Sequence, residues 1–372
     1  MIWFLYISVI VLFALTVLVS IVTYTYRAKR PMRRELLSRS SENPILAPNL
    51  NEPWENRAVF NPAAVYLNGR VHLFYRALGD DGISRIGYAS STDGIHFERS
   101  PLPSFIMRTS SPKKFRSPFS SSASLHYSTD LYASGGGWGG SEDPRAVEIE
   151  GRVYMVFGVF ESWKSIRIAL TSIGQSDLDV KRWNWAQYFC LSPKDETNKN
   201  WVMFPEKIHG KFAVLHALSP SVLIDYVDSL ESLETHPIRS NNNRTGRAGY
   251  WDVFVRGAAA PPIKTKYGWL LLYHGMDPAE PVGYKVGAMI LDINDPTKVL
   301  YRSALPVLEP REAYENDWKP GVVYASGAIV KDGTLFVYYG GGDKTVNVAT
   351  APLEKFLKAL MKDGRVELPQ TR

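Results

Sequence analysis

The chain has 372 residues, one cysteine (Cys190) and a net charge of +6, from 43 Lys and Arg against 37 Asp and Glu. A single cysteine excludes an internal disulfide. The charge is modest and gathers partly in Arg27, Lys29, Arg30, Arg33 and Arg34, which excludes the basic groove of a nucleic-acid binder. With 45% hydrophobic and 12% aromatic residues there is apolar surface for a substantial globular core.

At the amino terminus, Ile2 to Val22 is an apolar run of bilayer length, with no basic residue ahead of it and no convincing cleavage site behind it. We expect residues 1–26 to be a single transmembrane helix and anchor rather than a signal peptide, and 27–42 a basic juxtamembrane linker. The nearby Lys and Arg all follow the span, so the positive-inside rule places the rest of a single-pass membrane protein on the cytoplasmic side. The sequon Asn243-Arg244-Thr245 points to the other side, but such triplets arise often by chance.

From residue 43 to 372 one pattern recurs five times: apolar residues, a glycine-centred turn, then an alternating strand rich in aromatic and β-branched residues. The copies are Ala64 to Tyr75, Ala146 to Phe157, Glu206 to His216, Pro262 to His274 and Ala328 to Tyr339. They predict β-hairpins turning at Gly69, Gly151, Gly210, Gly268 and Gly333. Further strands are predicted at Ile83–Ser90, Ile166–Thr171, Lys285–Ile290 and Val346–Thr350. The serine- and glycine-rich stretch 104–140 reads as an inserted loop, and Leu353 to Lys362 as a helix. Four strands per unit, repeated five times, predict an all-β protein: a five-bladed β-propeller filling residues 43–372.

The polar residues collect where the hairpin strands begin and end. Ser141-Glu142-Asp143-Pro144-Arg145 runs directly into an apolar alternation, and Pro144 is expected to hold Asp143 extended at a strand entrance. Other entrances carry Phe60-Asn61-Pro62, Lys199 with Phe204-Pro205-Glu206-Lys207, Arg256-Gly257 and Ser326-Gly327. The exits carry Tyr75-Arg76-Ala77, Tyr273-His274-Gly275 and Tyr339-Gly340-Gly341-Gly342-Asp343. No two histidines show metal-ligand spacing, and no metal or organic cofactor is expected.

Taken together, Val59 to Ala64, Phe74 to Ala77, Ile83 to Ala89, Glu142 to Arg145, Phe204 to Ile208, Gly268 to Gly275 and Tyr338 to Asp343 resemble, in order, the motifs of glycoside hydrolase family 130. Its members are β-mannoside phosphorylases and β-mannosidases on a five-bladed propeller, with protist β-mannosyltransferase/phosphorylases as near neighbours. The resemblance implies Asp143 as the general acid and Asn61, Arg76, Arg85, Glu142, Arg145 and Asp343 around the mannosyl unit. Lys199, Arg256, His274 and Tyr284 would bind phosphate. A phosphorylase needs no second catalytic carboxylate, because inorganic phosphate is the nucleophile and a cationic cradle holds it.

The expected activity is inverting phosphorolysis of β-mannosides to mannose 1-phosphate, with phosphate as co-substrate. The chain departs from the family pattern at Ala217, where an arginine ordinarily follows the histidine. That loss leaves hydrolysis, with Glu309, Glu312 or Glu315 as base, or transfer from a nucleotide sugar, as alternatives. A non-catalytic membrane-tethered carbohydrate binder is the alternative of another class. Trp138, Trp163 and Trp201 are candidates to stack on the next sugar.

Overall fold

A computed structural model describes residues 36–107, 139–162, 165–240, 245–279, 283–364 and 366. The chain divides after Glu35, and the compact unit Leu36–Arg372 holds all of these residues.

The strands follow one another with little helix between them. First comes β1 (Ser38–Arg39). An eight-stranded sheet is then built from β2 (Ala58–Leu67), β3 (Arg70–Leu78), β4 (Ile83–Ser91), β5 (Glu98–Arg99), β6 (Gly139–Ile149), β7 (Arg152–Ser162), β8 (Ser165–Gly174) and β9 (Phe189–Cys190). A three-stranded sheet holds β10 (Val202–Met203), β11 (Phe212–Ala217) and β12 (Leu223–Val227). A five-stranded sheet holds β13 (Phe254–Ala258), β14 (Ile263–Thr265), β15 (Gly268–Met276), β16 (Lys285–Leu291) and β17 (Val299–Arg302). The last sheet joins β18 (Val323–Lys331), β19 (Thr334–Gly341) and β20 (Thr345–Pro352) to β1. The helix Leu353–Asp363 buries Phe356, Leu357 and Leu360 against this last sheet and β16.

All five hairpins form. Four turn on two residues with positive φ: Asn68-Gly69, Glu150-Gly151, His209-Gly210 and Asp332-Gly333. This is the turn whose twist matches that of its strands. The fourth hairpin turns instead on Lys266-Tyr267. Gly268 is required there because a Cβ would stand 2.1 Å from the Leu291 carbonyl oxygen.

Two expectations are corrected. Among the described residues, hydrogen bonding gives four sheets rather than the five separate blades of the expected propeller. β4 pairs in parallel with β6 (Ile83 with Gly139, Ser84 with Gly140), so the first two hairpins share one sheet. Gly140 permits this approach: at its φ of +97° a Cβ would lie 2.1 Å from the Ser84 carbonyl oxygen. The repeat counted in the sequence is a repeat of hairpins, not of sheets. The expected transmembrane helix and single-pass membrane placement are not supported either. Among the described residues no helix is long and apolar enough to cross a membrane, and residues 2–22, on which that expectation stood, lie outside them.

Apolar clusters stitch each hairpin to the next. Phe74 and Tyr88 pack with Met155 and Phe157, Val147 and Ile168 with Trp201 and Val214, and Phe204 and Leu215 with Trp269 and Tyr273. Leu272 and Ala288 pack with Val337 and Tyr339, and Tyr338 and Val348 return to Leu73 and Tyr75 of the first hairpin.

A buried polar latch also repeats. The sixth residue of β3, β15 and β19 is Tyr75, Tyr273 or Tyr339, and each hydroxyl donates to a buried carboxylate lying ahead of its hairpin: Glu55 (2.8 Å), Asp252 (2.6 Å) and Glu315 (2.9 Å). Each carboxylate also takes an arginine from the outermost strand of its own sheet or sub-sheet, Arg99 at 3.0 Å, Arg302 at 2.6 Å and Arg39 at 2.8 Å. Tyr75 and Tyr273 lie across Gly87 and Gly287 of the neighbouring strands, where a Cβ would come within 2.3 and 2.4 Å of the rings.

Candidate active site

The strands that begin the hairpins break register where the polar motifs fall: between Phe60 and Ala63, Glu142 and Arg145, Val255 and Gly257, and Ala325 and Gly327. Such bulges re-aim side chains and leave residues unpaired, so a proline costs no ladder hydrogen bond there. Pro144 accordingly lies inside β6 and not at its entrance. Asp143 is not extended as expected but sits at φ +47°, with Asn61 at +49° ahead of Pro62. Asn and Asp are the non-glycine residues that best tolerate this left-handed region, and such backbone strain concentrates at functional sites.

These two bulges bring Asn61 and Asp143 into contact. Asn61 Nδ2 donates to Asp143 Oδ1 at 2.8 Å, and Arg76 Nη1 lies 3.3 Å from the same oxygen. Arg76 also donates from Nη2 to Glu142 Oε1 (3.0 Å) and from Nε to Ser84 Oγ (3.0 Å). Lys199 Nζ lies 3.6 Å from Glu142 Oε2. The cluster is buried: Arg76 and Glu142 are 1% exposed and Asp143 8%.

Burial by itself would raise the Asp143 pKa. Arg76, Lys199, the Asn61 hydrogen bond and Arg145 together outweigh it and hold the carboxyl well below the usual carboxylate range. Burial likewise disfavours the Arg76 charge, but Glu142, Asp143 and Asp343 raise its pKa further. Among the described residues, no group of three or more His, Cys, Asp or Glu is placed to hold a metal ion.

A second network adjoins the first. Arg145 donates to the backbone carbonyls of Asp143 (3.0 Å) and Ala259 (2.9 Å), and to Asn200 Oδ1 (3.2 Å) and the Tyr324 hydroxyl (3.0 Å). It thus braces the Asp143 backbone rather than its carboxylate. Asn200 Nδ2 donates to the Arg256 carbonyl at 3.2 Å, and Tyr324 donates to Asn200 Oδ1. His274 stacks on Tyr324 at 4.1 Å between centroids and meets Tyr284 edge-on. It is fully buried, and neither ring nitrogen makes a hydrogen bond of normal geometry. Burial, then Arg145 and Arg256 against the opposing pull of Asp143, keep its pKa well below the ordinary value, so the ring is neutral.

The Arg256 guanidinium lies over the Tyr284 ring at 5.3 Å, and Lys319, 5.8 Å from the same ring, pairs with Asp343 Oδ2 at 3.0 Å. A recess of about 270 Å3, open solvent included, is bounded by Glu142, Asp143, Lys199 and Asn200 on its polar side and by Ile166, Ile168 and Trp201 on its apolar side.

The structure therefore connects Asn61, Arg76, Glu142, Asp143, Arg145 and Lys199 directly, and Arg256, His274, Tyr284 and Asp343 through Asn200, Tyr324 and Lys319. Arg85 stands apart, held by Asp81 at 2.5 and 3.0 Å. Of the tryptophans, Trp201 is fully buried, and Trp138 and Trp163 lie outside the described residues. Glu315 is sealed in its latch and Glu312 caps a short helical turn. Asn200, Tyr324 and Lys319 were missed. Asn200 directly follows Lys199, and Tyr324 stands two residues before Ser326, so proximity to the polar entrances was the available signal.

The family model described as beta-1,4-mannooligosaccharide phosphorylase matches residues 132–362. A 1,2-beta-oligomannan phosphorylase of a Thermoanaerobacter species is 37% identical over 324 residues, 84% of this chain and 96% of that protein. A beta-1,2-mannobiose phosphorylase from the same source is 34% identical over 86% of this chain and 98% of its own length. Among solved structures, the Listeria innocua beta-1,2-mannobiose phosphorylase in complex with beta-1,2-mannobiose superposes with a TM-score of 0.65. It is 25% identical over 88% of this chain and 99% of its own.

Proposed function

Because the chain belongs to glycoside hydrolase family 130, we propose that it is an inverting phosphorylase of β-mannosides in which Asp143 supplies the proton and half-buried cations hold phosphate. The observation that carries this is the asymmetry of the site. One carboxylate, Asp143, is held by Asn61 and Arg76 and borders the same recess as Lys199. Its neighbour Glu142 is already held between Arg76 and Lys199, and Glu315 is sealed away from solvent. A hydrolase of the usual kind needs a second available carboxylate to activate water, whereas a phosphorylase does not.

In the reaction an oxygen of hydrogen phosphate forms its bond to the anomeric carbon as the glycosidic bond breaks on the opposite face. Configuration inverts, and the products are α-mannose 1-phosphate and the free acceptor sugar. The proton leaving hydrogen phosphate balances the one delivered to the departing oxygen, which Asp143 passes on through a sugar hydroxyl. Asn61, Arg76 and Asp343 grip the mannosyl unit. In the free protein the surrounding cations keep Asp143 ionised. Phosphate bound beside them offsets part of that positive field and favours the protonated acid.

The two relatives above are named for β-1,2-linked substrates, so β-1,2-mannobiose is the first substrate to try. Purified protein incubated with it should release mannose 1-phosphate only when phosphate is present. Equal cleavage without phosphate would instead establish hydrolysis.

A further inference from the structure

The loop 316–322 is a crosspiece between two proposed subsites. On one side the Lys319 amide donates to the Gly342 carbonyl at 2.9 Å, while its ammonium meets Asp343 Oδ2 at 3.0 Å. On the other, the Tyr284 amide donates to the Gly321 carbonyl at 2.9 Å, and Tyr284 pairs in parallel with Val322. Trp318, next in the chain, packs against Ala58, Phe60 and Leu78. Lys319 is thereby fixed with its ammonium 5.8 Å from the centre of the Tyr284 ring, which the Arg256 guanidinium also approaches. Its side chain keeps 20% of its surface exposed.

Position 217, where the family pattern supplies a guanidinium, is a buried alanine, and His274 is neutral and fully covered. Of the four residues expected around phosphate, only Lys199 and Arg256 carry charge, and Lys199 already faces Glu142. Resting on the phosphorylase reading, we propose that Lys319 is a phosphate-binding residue: it supplies the third cation of the phosphate site and spans from there to the mannosyl-binding Asp343. An ammonium has three donors on a flexible stem, so it holds the Asp343 carboxylate and a phosphate oxygen together.

The test compares wild type, Lys319→Met and Lys319→Arg in the full chain, varying phosphate and β-1,2-mannobiose separately. For Lys319→Met the KM for phosphate should rise about tenfold or more, the loss of one charge-assisted contact. The KM for mannobiose, which Lys319 reaches only through Asp343, should rise by a clearly smaller factor, and Lys319→Arg should recover part of the loss. Protection against thermal unfolding by inorganic phosphate alone should weaken in Lys319→Met, a reading of binding that does not depend on turnover. An unchanged phosphate KM with unchanged protection, or a loss that falls mainly on mannobiose, overturns the assignment. Wild type that cleaves mannobiose equally well without phosphate overturns the phosphorylase reading itself.

Discussion

Asp143 and Arg76 set the behaviour of the site at the level of single side chains. Asp143→Asn keeps the Asn61 contact within reach but carries no transferable proton, so phosphorolysis should fall by about 10²–10⁴-fold, with the fold retained by circular dichroism. The folded pKa of Asp143 lies below its unfolded value of about 3.9, so the folded protein holds this proton less tightly than the unfolded chain. The carboxylate therefore contributes stability that is fully present above about pH 4 and is lost as the pH falls through the folded pKa. The gap in unfolding midpoint between wild type and Asp143→Asn should narrow from pH 6 to pH 3; a constant gap would contradict the ionised assignment. Arg76→Ala removes the cation shared by two buried carboxylates and should cost about 3–5 kcal/mol in chemical denaturation, far more than Arg85→Ala, whose exposed partner Asp81 remains solvated. Most of the cluster was legible in the sequence because the motif residues stand on the hairpin strands, whose bulges bring them together. Arg85 lies outside this network because Asp81, four residues away, holds its guanidinium. Lys319 was invisible because a loop, not a strand, delivers it.

Between residues and the whole lie the hairpins and their latches. Placing a methyl group at Gly87 or Gly287 drives it into the ring of Tyr75 or Tyr273, and each Gly→Ala change should destabilise by about 1–3 kcal/mol. The same substitution at Gly174, where the nearest atom to an added Cβ is 3.8 Å away, should be much milder, and equal effects at the three positions would refute the packing argument. The amino-terminal boundary follows the same logic. A chain starting at Leu36 keeps Leu37 in the core and Arg39 on Glu315, whereas one starting at Ser41 loses both and leaves Glu315 buried without its cation. The shorter form should be less stable by at least about 3 kcal/mol in urea titration. Hairpins were readable because Asn-Gly, Glu-Gly, His-Gly and Asp-Gly demand tight turns. The latches were not, since each joins a carboxylate, a tyrosine and an arginine from separate segments and no local pattern reports that meeting.

For the whole molecule, counting turns in the sequence recovered the number of hairpins but not the number of sheets. Strand partnership between units depends on how closely two backbones approach. Here Gly140 against Ser84 decides it, after a stretch of chain with no strand-like alternation. Membership of a family of β-mannoside phosphorylases agrees with a buried cluster in which the hairpin strands bring Asp143 together with Arg76 and Lys199.

The pairing of β1 with β20, the first and last strands described, joins Ser38 to Thr350 and Arg39 to Ala349. A ribosome adds about 5–20 residues per second, so Leu37 and Arg39 wait on the order of 15–60 s for their partners to be made. During that interval an apolar side chain and an unpaired strand edge are open to other nascent chains. Closure of this sheet therefore waits for β20, and a chain truncated before Thr345 would leave its first strand with nothing to close upon.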